Sequence, residues 1–81
     1  MQTISFTLGY QTIIRKIMDI KKDYMMILDT ITTGEDKKYS LAVYYTDLPW
    51  EEEMEKHECK DPNEANTLYK QLVAKYQKWP S

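Results

Sequence analysis

Eighty-one residues, 42% hydrophobic and 30% charged with two glycines and three prolines, can fold around one core but cannot furnish two. A formal charge of −2 excludes the basic footprint of a duplex nucleic-acid binder, and a single cysteine excludes an internal disulfide framework or a Cys-rich metal centre. The expectation is one domain, residues 1–81, of a size at which a core alone gives only modest stability and association with a partner adds to it.

The opening MQTISFTLGYQ has neither the basic lead nor the apolar run of a secretion signal. The longest apolar run, YMMIL at 24–28, falls far short of the roughly 20 residues of a membrane span. These features, with the lone cysteine, lead us to expect a cytoplasmic protein that does not enter a membrane.

Ile4, Phe6, Leu8 and Tyr10 alternate with Thr3, Ser5 and Thr7, the period of a strand, and Gly9 allows a bend. Residues 11–20, QTIIRKIMDI, fit two templates. At helical spacing Ile13, Ile17 and Ile20 form a stripe, whereas Ile14, Met18 and Ile20 share one side of a strand. Four isoleucines in ten residues favour the strand, with Lys21-Lys22-Asp23 as the turn that follows. Residues 24–32 and 38–46 read as a β-hairpin joined by the polar, glycine-bearing TGEDK. In the second of these strands Tyr39, Leu41, Val43 and Tyr45 share one face. In the first, Met26 and Leu28 oppose Met25, Ile27 and Ile31, so both faces are apolar, as in a central strand covered on both sides.

Leu48-Pro49-Trp50 interrupts the strand pattern, and the glutamate-rich stretch to Cys59 reads as a charged edge strand. Asp61 is placed to cap a helix, Pro62 to occupy its first position, and Glu64 to complete a capping box. Ala65, Leu68, Tyr69, Leu72, Val73, Tyr76 and Trp79 then recur along one face, predicting a helix over about 62–79 that Pro80 ends. The expected fold is α+β: an antiparallel β-meander of four or five strands with one C-terminal α-helix packed on one face.

His57 and Cys59, the sole representatives of their types, fall on the same side of that last strand. Acidic neighbours would raise the thiol pKa where a nucleophile needs it lowered, so Cys59 reads as a small buried residue rather than a catalytic one. Two candidate ligands of the four expected make no zinc site. Neither a cofactor nor a small-molecule substrate is indicated by any motif. Charge is nonetheless uneven: residues 1–46 carry +1, 47–61 carry −5 and 62–81 carry +2.

The strongest functional pointer is the apolar surplus, since one helix covers one face of a sheet and leaves the other bare. The chain is therefore expected to be a non-enzymatic interaction module, an adaptor, regulator or inhibitor, binding a protein partner or itself as a homodimer. Met25, Ile27, Ile31 and Tyr44 are the expected apolar contact, and Glu51, Glu52 and Glu53 the charged edge. The alternative is a nucleic-acid-binding accessory protein using Arg15, Lys16, Lys21 and Lys22 with aromatics on the sheet.

Overall fold

Alternation at period two, broken at Gly9-Tyr10, Lys22-Asp23 and Gly34-Glu35, dictates a run of antiparallel hairpins. A computed structural model describes residues 2–47 and 50–78, with Trp50 described by its backbone alone. Five strands, β1 (Gln2–Leu8), β2 (Gln11–Lys21), β3 (Tyr24–Thr33), β4 (Asp36–Asp47) and β5 (Trp50–Cys59), precede one helix, α1 (Pro62–Gln77). The strands form one open sheet in sequence order, every neighbour antiparallel. The described residues extend 41 × 28 × 19 Å, the thin dimension being that of one sheet plus one helix layer.

Residues 11–21 are a strand. Gly9 and Gly34, at φ of 59° and 61°, occupy the first position of two-residue loops, where a type II′ hairpin requires positive φ. The β3–β4 turn is therefore tighter than the five-residue TGEDK segment, and Thr33 already pairs with Asp36. Asp23, at φ 70°, takes the left-handed conformation without being glycine, which aspartate tolerates better than most residues. The Leu48-Pro49 break and the helix-end residues Trp79 and Pro80 lie outside the described residues.

The Asp61 carboxylate accepts a hydrogen bond from the Asn63 backbone N–H at 2.9 Å, the cap that the sequence foreshadows. Glu64 in the first turn and Lys75 in the last complement the helix dipole. Ala65, Leu72 and Tyr76 are buried against the sheet, with Leu68, Tyr69 and Val73 half-buried beside them. They meet Met26, Leu41 and Val43, which are 0% exposed, and Cys59. The strand register sets this core in cross-strand rows, Met18–Met26–Val43–Glu55, Leu28–Leu41–His57 and Thr30–Tyr39–Cys59, the last two running out to the exposed Lys16 and Ile14 on β2.

The helix is also fastened by charge. On the helix side of β5, Glu55 accepts hydrogen bonds from Lys75 Nζ at 2.7 Å and from the Tyr76 hydroxyl, and lies 2.7 Å from His57 Nε2. Burial pushes the Glu55 pKa up, but the bonds from His57, Lys75 and Tyr76 outweigh it and hold the group at about 2. Burial and the same carboxylate push Tyr76 up to about 12.

β3 is third of five strands, central as expected, but covered on one side only. Its other side, with the matching sides of β1, β2 and β4, faces away from α1. Among the described residues the expected cover on the second side is not found, because the segment that could have made a second helix is β2.

Truncating Leu41 to alanine should cost about 2–5 kcal/mol and Asp61→Ala about 1 kcal/mol, both read from urea unfolding. A carboxylate whose folded pKa lies below its unfolded value stabilises fully above the unfolded value and loses that contribution as pH falls. Stability from Glu55 should accordingly disappear between pH 4.5 and about 2. The difference in unfolding free energy between the unaltered chain and Glu55→Gln, followed over that range, should shrink toward the acid end.

Candidate functional site

Because side chains alternate along each strand, the register fixes what the face opposite α1 presents. Its rows read Phe6–Ile13–Ile31–Lys38, Ile4–Arg15–Asp29–Ser40–Glu58, Gln2–Ile17–Ile27–Ala42–Lys56 and Asp19–Met25–Tyr44–Glu53. Phe6, Ile17, Ile27 and Ile31, all half-buried, make an apolar field over β1, β2 and β3, with Ile13, 7% exposed, between Phe6 and Ile31. Met25 and Tyr44 continue it toward β4, and Ile4 and Leu8, 40% and 59% exposed, toward the β1 edge.

In the middle of this field lies an ion pair. Arg15 and Asp29 are direct cross-strand partners, and the guanidinium meets the carboxylate twice, Nε to Oδ1 at 2.8 Å and Nη2 to Oδ2 at 2.9 Å. Arg15 also stands 5.4 Å from the centre of the Phe6 ring, within range of a cation–π contact. The hydrogen bond to Asp29 raises the Arg15 pKa further above its already high value, so the guanidinium keeps its charge. Two opposite charges thus cancel inside an otherwise apolar surface.

Toward β5 the face turns acidic. The Tyr44 hydroxyl lies 3.3 Å from Glu53 Oε1, and burial together with that carboxylate raises the tyrosine pKa. Glu51 stands opposite Thr46 on the same side. Glu52 does not join them: it opposes Tyr45 on the helix side of the sheet. A bulge between Val43 and Tyr44 inserts Met54, which packs into the core, and so reverses the side on which successive glutamates fall.

Of the expected contact residues, Met25, Ile27, Ile31 and Tyr44 therefore share the open face, with Glu51 and Glu53 at its acidic margin and Glu52 behind it. Sequence reasoning missed Ile4, Phe6, Leu8 and Ile17 as members of this surface, the buried Ile13 among them, and Arg15–Asp29 as its polar centre. The missing signal was available in β1. Thr3, Ser5 and Thr7 lie on the helix side and are exposed, while Ile4, Phe6 and Leu8 lie on the open side, so β1 turns its apolar edge away from the protein's own core.

Arg15, Lys16, Lys21 and Lys22 are not brought together. Arg15 is engaged by Asp29, Lys16 projects from the opposite face, and Lys21 and Lys22 lie at the β2–β3 turn, where Lys21 stands 5.3 Å from the Tyr24 ring. Cys59 is 5% exposed beneath the start of α1, and burial, then Glu64 and Asp61, raises its pKa. His57 is turned to Glu55. An open cleft of about 530 Å³ lies over these two residues and the first turns of α1. Among the described residues no group of three or more His, Cys, Asp or Glu could hold a metal ion, and no helix is long and apolar enough to cross a membrane.

No protein-family model, curated protein or solved structure matches this chain.

Proposed function

We propose that the protein is a small cytoplasmic interaction module, without catalytic activity of its own, that binds a protein partner or a second copy of itself through the open sheet face. The observation that carries this reading is the polarity of β1. An edge strand that presents isoleucine, phenylalanine and leucine away from its own helix, and threonine and serine toward it, is patterned for a layer that the described residues do not supply. The apolar field over β1–β3 supplies contact area, the self-neutralised Arg15–Asp29 pair fixes orientation through its remaining hydrogen-bonding capacity, and Glu51 and Glu53 bias the choice toward a partner with basic residues at the matching rim. A buried, unpaired cysteine suits a reducing compartment.

The test compares the unaltered chain with Ile27→Glu, at the centre of the face, and with Leu8→Glu, at its exposed margin where folding tolerates a charge. Solution mass and the proteins recovered from the native host are measured together, with circular dichroism to verify the fold. Both substitutions should weaken a stoichiometric association, Ile27→Glu by roughly thirtyfold or more, as the loss of an interface centre does. Association unchanged by either substitution in a folded chain would refute the reading.

A further inference from the structure

The two edges of the sheet are built by opposite rules. β5 is a guarded edge: seven of its ten residues are Glu, Lys or His, and it carries a bulge that re-aims the strand. β1, QTISFTL, has no charge, no proline and no bulge in its pairing with β2, and three of its seven residues are β-branched. In a chain that protects one edge so heavily, an unprotected second edge is a place for another strand. The incoming strand must suit a surface that is apolar on one side, hydroxyl-bearing on the other and uncharged throughout.

β1 itself meets that description. We infer that β1 pairs antiparallel with β1 of a second copy, about a two-fold axis through Ser5, so that two five-stranded sheets become one continuous sheet. Pairing Ser5 with its counterpart uses the full length of the strand and sets Ile4 beside the partner's Phe6, and Thr3 beside the partner's Thr7. An aromatic with a β-branched residue on one side, and threonine with threonine on the other, are both favourable cross-strand neighbours. Antiparallel partners opposite one another point to the same side, so both helices lie on one face of the joined sheet and both apolar fields on the other. No like charges meet, because β1 has none. The acidic β5 strands are carried to the two far ends, where copies cannot add further, and the assembly closes as a dimer instead of growing. This contact goes beyond the face reading and stands without it.

The experiment places a charge on the axis. Ser5 is exposed, so Ser5→Lys and Ser5→Glu should each fold as the unaltered chain does. Sedimentation equilibrium should give a dimer for the unaltered chain and a dissociation constant weaker by roughly fivefold or more for each variant, since each sets like charges opposite one another. An equimolar mixture of the two variants should recover the lost affinity as a mixed dimer. As a readout that needs no substitution, amide exchange in β1 should slow as the concentration of the unaltered chain rises. A monomer throughout the micromolar range, or a dimer that neither Ser5 charge weakens, overturns the proposal. A dimer that ignores both Ser5 charges but dissociates with Ile27→Glu is joined through its faces; that result overturns the edge contact and sustains the face reading. Loss of affinity with the Ser5 charges, recovered on mixing and unaffected by Ile27→Glu, sustains the edge contact alone.

Discussion

A helix of sixteen residues is about 24 Å long and about 10 Å across with its side chains, while five strands about 4.8 Å apart span a wider layer than one such rod can shelter. That mismatch governs the rest of the molecule. The helix lies over β2, β4 and β5, and the largest fully buried side chains, Met26, Leu41 and Val43, sit beneath it. Beyond its reach, on β1 and the outer part of β2, the helix side of the sheet carries Thr3, Ser5, Thr7 and Thr12, all exposed, together with Ile14, 41% exposed opposite Ser5. Along β1 the sequence is polar on the helix side and apolar on the reverse side. A sheet that had merely failed to bury its surplus would show no such reversal.

The ion pair on the open face is consistent with a surface that alternates between water and a partner. A charge left alone among isoleucines would be costly once covered, because removal from water costs several kcal/mol per ion and only good geometry offsets it. Arg15 and Asp29 have already met through two hydrogen bonds at 2.8 and 2.9 Å, and Phe6 stands beside the guanidinium. The pair can keep the uncovered face hydrated without bringing a net charge into a covered one. Its fixed geometry also sets a register that an all-apolar face would leave loose.

How much of this could be read from the chain depended on how local the cause was. The helix was legible because its cap, its proline and its apolar stripe are all neighbours in sequence, and Asp61 caps it as the pattern requires. The strands were legible from period two, including residues 11–21, where β-branched composition decided between two competing templates. The sides on which glutamates fall were not legible, because a bulge opposite Val43 and Tyr44 shifts the alternation and only strand pairing creates a bulge. Glu52, expected beside Glu51 and Glu53, thereby lies on the helix side of the same edge strand. Glu55, in a run that reads as a solvated rim, turned out to be the anchor of α1. The Arg15–Asp29 pair is fourteen residues apart in sequence and visible only once β2 and β3 are in register. Met25, Ile27, Ile31 and Tyr44 were found together because surplus apolarity on one side of a hairpin is itself a local pattern.

The glutamate run of β5 carries out two tasks that the bulge separates. Glu51 and Glu53 stand on the open side, and like charges there disfavour the approach of a second β5. Glu55 turns inward and, by accepting bonds from the last turns of α1, holds the helix against the strand it protects. The same tract thus closes one edge of the sheet and fixes the cover on one face. Neither device extends to β1, which lies at the opposite edge with no charge of its own and no share in the helix anchor. The chain's means of protection are all gathered on one side of the sheet, and the strand left without them is also the strand whose apolar side chains face outward. Bare edge and bare face meet at Ile4, Phe6 and Leu8, so any partner that covers one lies beside the other.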